Sequence, residues 1–231
     1  DINRLSAEEW ISAHEGVVGE ESLELLSRYG IPVAESSVAK DEDEAIALAE
    51  QIGYPVVMKV VSPDAIHKSE AKGVALDIKD KDEVRSAFHM IRDNLYEYKP
   101  DADFIGIRVQ KMAWEGYDMF IGGKYDPSFG PVVLFGLGGV YVEMFKDVNI
   151  ALCPASNDEI QAKVKKLKSY SMLTGARGNQ RVDIQGYINC MLRTSYLMAD
   201  FPRIKELDIN PLRILADGSG VVALDARIRI E

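Results

Sequence analysis

Cysteine and histidine are scarce in this chain, with two of the first and three of the second among 231 residues. Cys153 and Cys190 lack the spacing of a zinc or iron–sulfur site, and His14, His67 and His89 are too scattered for an imidazole metal cluster. Isolated thiols fit a reducing compartment, so the expected location is the cytoplasm. No apolar run reaches the roughly 18 residues a membrane-spanning helix needs, and the start of the chain is not signal-like. Positive charge is in deficit: 27 Lys and Arg stand against 37 Asp and Glu, a net charge of −10. Such a surface argues against nucleic acid or an anionic membrane as the main partner, while leaving room for a local phosphate site. Repeats and low-complexity tracts are missing, and so is the Gly-x4-Gly-Lys-Ser/Thr spacing of a Walker A loop.

Apolar residues make up 47% of the chain, ample for a core. Apolar periodicity predicts helices over 20–29, 41–52, 81–98, 157–168 and 182–200, with Asp41 and Glu44 as a capping box. Extended apolar runs predict strands over 56–61, 74–78, 104–112, 117–124 and 131–135. Hairpin-like neighbours dominate, which favours an α+β class over a doubly wound parallel sheet. Lys99-Pro100-Asp101-Ala102-Asp103 reads as a seam, giving lobes 1–103 and 104–231 with a ligand cleft between them.

The stretch Glu206-Leu207-Asp208-Ile209-Asn210-Pro211-Leu212 precedes a turn, Asp217-Gly218-Ser219-Gly220, and a return strand that ends in Leu224-Asp225. With Ala216 opposite Val221, Leu212 faces Asp225 and Asn210 is its diagonal neighbour, about 7–8 Å away. Alternation then puts Asp208, Asn210 and Asp225 on one face, where a magnesium ion could take one carboxylate, one amide oxygen, water and phosphate. A solvated acidic hairpin would read the same way. Lys59 lies in the apolar strand Pro55-Val56-Val57-Met58-Lys59-Val60-Val61, so its ammonium either snorkels to water or meets phosphate oxygens. The following segment, 62–73, carries His67, Lys68, Ser69, Lys72 and a closing Gly73, the inventory of a phosphate lid or of a plain surface loop. A neutral imidazole at His67 is a competent phosphoryl acceptor, and Asp208 is an acid able to orient its ring. Gln110-Lys111-Met112 read as a hinge whose backbone meets adenine, and Asp118 as an acid for ribose hydroxyls. Phe135-Gly136-Leu137-Gly138-Gly139 reads as a close backbone approach to a ligand, or as a turn.

Taken in order, these motifs, with Thr174-Gly175-Ala176-Arg177-Gly178, resemble the ATP-grasp fold over nearly the whole chain. More narrowly they resemble the beta subunit of ADP-forming acyl-CoA (acetyl-CoA) synthetases. The resemblance implies ADP and ATP as substrates, Mg2+ as cofactor, and a CoA-binding alpha subunit as partner in an α2β2 heterotetramer. It implies that His67 is a phosphohistidine steadied by Asp208, that Asn210 and Asp225 hold the metal, and that Lys59 contacts nucleotide phosphates. Lys68, Ser69, Gly73, Gln110, Lys111, Met112 and Asp118 complete the implied nucleotide contacts. Two other readings share most of these residues. A carboxylate–amine ligase would use Lys59, Asn210 and Asp225 without His67, and a nucleotide-sensing module would have no phosphohistidine.

Overall fold

Two antiparallel sheets organise the chain, each with helices covering one face. In the computed structural model every residue is described except Asp1, Glu20, Ile66, His67, Ser69, Trp114, 139–146, Asn179 and the side chain of Arg177. In chain order the elements begin with α1 (Arg4–Ser12), β1 (Gly16–Val18), α2 (Ser22–Arg28), β2 (Ser36–Ala39) and α3 (Glu42–Ile52). There follow β3 (Val56–Val61), β4 (Val74–Ile78), α4 (Lys81–Tyr98), β5 (Gly106–Lys111), β6 (Tyr117–Asp126), β7 (Gly130–Leu137) and β8 (Val148–Leu152). The chain continues through α5 (Asn157–Val164), α6 (Tyr170–Leu173), α7 (Ile184–Asp200), β9 (Ile204–Ile214), β10 (Val221–Ala223) and β11 (Ala226–Ile230).

Contacts divide these elements into a unit of residues 34–114 and a second of 1–33 with 115–231. This differs from the expected lobes 1–103 and 104–231. The strand after the Lys99–Asp103 seam is β5, and it pairs with β2 and β3, so it belongs to the first sheet rather than opening the second. The N-terminal segment joins the far end of the chain instead, because β1 pairs with β11.

The smaller unit is a four-stranded sheet in the order β2-β5-β3-β4. Alternation along β3 sends Val56, Met58 and Val60 to the core with Ala75, Ile78, Ile107 and Val109. Helix α4 buries Val84, Ala87, Phe88, Ile91 and Leu95 against them, a 3.6-residue stripe in which each large side chain contributes about 1.5–3 kcal/mol. Asp80 starts α4 by accepting from the amides of Asp82 and Glu83, and Glu83 reaches back to the Lys79 amide at 2.7 Å. Asp41 and Glu44 repeat the device at α3, where the Glu44 carboxylate takes the Lys40 amide.

The larger unit holds a seven-stranded sheet, β1-β11-β9-β6-β7-β8, with β10 also paired to β9. Tyr187, Met191, Leu197 and Met198 of α7 share a core with Met119, Ile121, Val133, Phe135, Leu207 and Ile209 of the sheet. The opposite face of β9 is left for Asp208 and Asn210. Among the described residues the pairings between these strands are antiparallel, in line with the α+β expectation. Among the described residues no helix is long and apolar enough to cross a membrane.

Candidate functional site

On one flank of β9 the pairing slips. Leu212 stands opposite Met119 and Ile209 opposite Ile121, so Asn210 and Pro211 together face the single residue Phe120. This is a β-bulge, and Pro211 suits it because it has no amide hydrogen to lose from the ladder. The bulge is propped from below by Tyr187, fully buried, whose hydroxyl donates to the Phe120 carbonyl at 3.0 Å and lies 3.4 Å from that of Gly136.

On the other flank β9 keeps register from Glu206 to Ile214. Ala226 pairs with Ile209, Arg227 with Asp208 and Ala223 with Leu212. The Asn210 amide donates to the Asp225 carbonyl at 3.2 Å, and the Leu224 amide to that of Pro211 at 3.0 Å. Asn210 and Asp225 are therefore directly opposed, not diagonal as expected, and Leu212 faces Ala223 rather than Asp225. The reason lies in the turn. The Ser219 amide closes onto Ala216 and the Leu215 amide onto Gly220, which shifts every pair by two residues. A shift of two preserves facing, so Asp208, Asn210 and Asp225 still share the face turned away from the core.

Burial first, and then the charge of Asp225, push the Asp208 carboxyl above its usual range, while Arg227 opposes the shift. Asp208 is solvent-open at its surface, yet dense strand atoms around the carboxylate deprive it of part of its hydration. One oxygen of Asp225 accepts the Ala226 amide at 2.9 Å. Two carboxylates and an amide on one face form an all-oxygen donor set with surplus negative charge, suited to a hard divalent cation rather than to zinc. Among the described residues no group of three or more His, Cys, Asp or Glu could hold a metal, so any ion here draws on the amide and on non-protein oxygens.

In the smaller unit Lys59 is half-buried on the face opposite the core. Register places Arg108 of β5 directly across from it and Gln110 across from Val57. Gln110 is only 2% exposed. Lys111 alternates to the other face, where its ammonium meets the carbonyls of Gly53 (2.6 Å) and Ile52 (3.2 Å) at the end of α3. The hinge amides are also committed: Lys111 donates to Glu35 and Met112 to Pro55. An adenine read by those two N–H groups, as the hinge expectation allows, would have to displace these bonds.

Segment 62–73 is fastened at both ends. Ala65 and Ala71 are each 2% exposed in the smaller core. Asp64 accepts from Lys99 Nζ at 2.5 Å and from the Asp103 amide at 2.8 Å, and these hold its carboxyl below the usual range. Asn94 donates to the Lys72 carbonyl at 2.9 Å, and the Lys68 carbonyl takes the Gly73 amide at 2.8 Å. A Cβ on Gly73 would come within 2.4 Å of Val60 Cγ1, so glycine is required there by packing. His67 and Ser69 lie outside the described residues.

Asp118, expected at ribose, is gripped by Arg213 from β9, with Nε 2.8 Å from one oxygen and Nη2 3.0 Å from the other. Gly136 and Gly138 owe their identity to the protein's own backbone. A Cβ would lie 1.9 Å from the Asp147 carbonyl in the first and 2.5 Å from the Met119 carbonyl carbon in the second. His89 pairs with Glu42 at 2.8 Å and His14 stacks on Trp10, both in structural settings. Burial raises the Cys153 thiol to about 11 and that of Cys190 to about 12, leaving both protonated near neutrality. Arg108 and Tyr187 escaped the sequence reading because only strand register and helix packing reveal their neighbours.

Residues 12–230 match the ATP-grasp domain family. The chain is 43% identical to the acetate–CoA ligase [ADP-forming] I subunit beta of Pyrococcus furiosus, over 92% of this chain and 90% of that one. It is 42% identical to the 4-hydroxybutyrate–CoA ligase [ADP-forming] of Nitrosopumilus maritimus, over 90% of its own length but only 30% of that longer chain. Among solved structures it resembles acetyl-coenzyme A synthetase 1 of Ca. Korarchaeum cryptofilum in complex with coenzyme A and Mg-AMPPCP, its phosphohistidine segment pointing towards the nucleotide binding site. That match has a TM-score of 0.82 and 34% identity, covering 99% of this chain and 98% of the other.

Proposed function

Because this chain belongs to the ATP-grasp family, in the beta-subunit line of the ADP-forming acyl-CoA synthetases, we propose that it makes ATP from a phosphohistidine and ADP, reversibly. His67 accepts the phosphoryl group from a CoA-binding alpha subunit. A terminal oxygen of ADP then attacks phosphorus, the P–N bond breaks, and the electron pair returns to the imidazole, leaving it neutral. Asp208, as a carboxylate, accepts a hydrogen bond from the ring N–H and holds its orientation.

The observation that carries this reading is the direct opposition of Asn210 and Asp225, with Asp208 on the same face. Asn210 and Asp225 would hold Mg2+, which when bound neutralises phosphate charge during transfer. Lys59 supplies a second counter-charge. Lys68, Ser69 and Gly73 belong to the segment that brings His67 to nucleotide, and Gln110, Lys111 and Met112 to the adenine end. Asp118 serves ribose only if Arg213 shares it. The subunit name of the Pyrococcus relative supports a separate alpha partner, proposed here in an α2β2 assembly in the cytoplasm.

Phosphoryl labelling tests the proposal. The chain incubated with γ-labelled ATP and Mg2+ should gain acid-labile label on His67, and His67→Ala should take up none while still binding ADP. Label on another residue, or ATP synthesis undiminished in His67→Ala, would remove the relay.

A further inference from the structure

The turn that sets the Asn210–Asp225 opposition is held from outside by the three residues ahead of α7. The Asp217 amide donates to the Arg181 carbonyl at 3.1 Å, and the Asp183 amide to that of Leu215 at 3.0 Å. Val182, buried, bridges to Ala216 between them. These bonds hold the first arm of the turn. The Asp183 side chain reaches the second. One carboxylate oxygen accepts the Gly220 amide at 3.1 Å, while the other accepts the Gly186 amide at 2.7 Å and caps α7.

The sequence makes room for this contact. Gly186 stands in the first turn of α7, where glycine is a poor helix former. A Cβ there would lie 3.1 Å from Val221 Cγ1 and 3.2 Å from the Asp183 carboxyl carbon. Val221 is the first residue of β10, so the bare helix start admits both the strand and the acid that holds its entry.

Two closures of the turn keep the same facing. The observed one pairs Ile214 with Val221. Pairing Ala216 with Val221 instead would slide Gly220 about 6–7 Å along the first arm. A carboxylate whose own amide is bonded to Leu215 cannot follow it that far. The same slide would return Asn210 and Asp225 to diagonal positions about 7–8 Å apart, against about 4.5–5.5 Å between the Cβ atoms of an opposed pair. The Asp183–Gly220 bond thus belongs to the register that brings the two donors together.

We infer that Asp183 is a positioning residue for the cation site: it selects the turn closure and thereby the spacing of Asn210 and Asp225. It acts through the hairpin and not on the ion. The inference rests on the cation role proposed above for those two residues.

Asp183→Asn and Asp183→Ser test it, because each keeps an oxygen to cap α7 and removes the acceptor facing Gly220. The full chain with ADP is titrated with Mn2+ by electron paramagnetic resonance, labelling from γ-labelled ATP is followed against Mg2+, and amide hydrogen exchange is read at Asn210 and Leu224. Asp183→Asn should weaken Mn2+ and raise the half-saturating Mg2+ by about tenfold, while labelling at saturating Mg2+ stays within about twofold. Asn210 and Leu224 should exchange faster, with α7 as protected as in the parent. Mn2+ affinity within about twofold of the parent in both variants overturns the inference, whatever the amides do. Lost protection of α7 in both also overturns it, assigning the effect to the helix cap. Asp225→Ala separates the two readings. Unchanged Mn2+ affinity there overturns the cation role itself, whereas a loss there beside an unaffected Asp183→Asn overturns only the role of Asp183. Should Asp183→Asn fail to fold, Asp183→Ser decides by the same measurements.

Discussion

The open faces of the two sheets solve one problem with opposite signs. On the larger sheet Asp208 and Asp225 stand close enough that the second raises the pKa of the first. On the smaller sheet Lys59 and Arg108 are opposed across a single ladder step. In each case strand pairing brings like charges onto one face, and under the proposed function a metal ion and the nucleotide phosphates would offset them. The supports differ. The acidic face rests on a bulge, a proline and a buried tyrosine hydroxyl. The basic face rests on a serine, Ser36, whose hydroxyl accepts from Arg108, and on long side chains that can adjust. A metal ion with octahedral demands needs the first kind of support, and a polyphosphate accepts the second.

Removing the ligand set on the acidic face gives the largest effect. Asp225→Ala should lower nucleotide-dependent turnover by about 10²–10³-fold, in line with loss of an electrostatic stabiliser, with the fold retained in the circular-dichroism spectrum. Full activity at ordinary Mg2+ would show that the two faces are not counterparts. Next comes Gly73→Ala on the basic side. The added methyl overlaps Val60 and should cost about 1–3 kcal/mol in denaturant unfolding. Tyr187→Phe removes the donor beneath the bulge and should cost about 1 kcal/mol while raising the Mg2+ needed for half-maximal turnover. An unaltered Mg2+ dependence would mean that the bulge holds its shape without that hydroxyl.

The smallest effect is a pH slope. The folded carboxyl of Asp208 is raised, so the folded state holds its proton over a window where the unfolded chain has released it. Its contribution is complete below the unfolded value near 4 and is lost as pH rises through the folded one. Asp208→Asn should abolish that slope, melting higher than the parent at neutral pH and equal to it in acid. Saturating Mg2+ should narrow the gap. A parallel pair of melting-versus-pH curves would remove the raised Asp208 carboxyl from the account.

Much of this was legible in the sequence. The limits of β3, β4 and α4 follow from apolar alternation and caps. Parity puts Asp208 and Asn210 on one face, but it would put Leu212 there too, and the bulge turns Leu212 into the core. Register was not legible. The turn residues permit either closure, and the choice depends on which amide reaches which carbonyl in Ala216–Gly220. Strands β2 and β8, with α1, were also missed, because short edge elements carry too few residues for a period to show. The N-terminal segment's allegiance to β11 is a long-range pairing with no local signature.

The fastening of segment 62–73 sets a limit on reach. From Ala65 to Ala71 the chain has six Cα steps, a contour of roughly 20–22 Å, so a residue midway stays within about 10 Å of its moorings and swings at most about 20 Å from one extreme to the other. A carrier that must shuttle farther than that cannot do so by bending. It has to uproot an alanine from the core, and on one side also part the Asp64–Lys99 pair, making each delivery a small local unfolding.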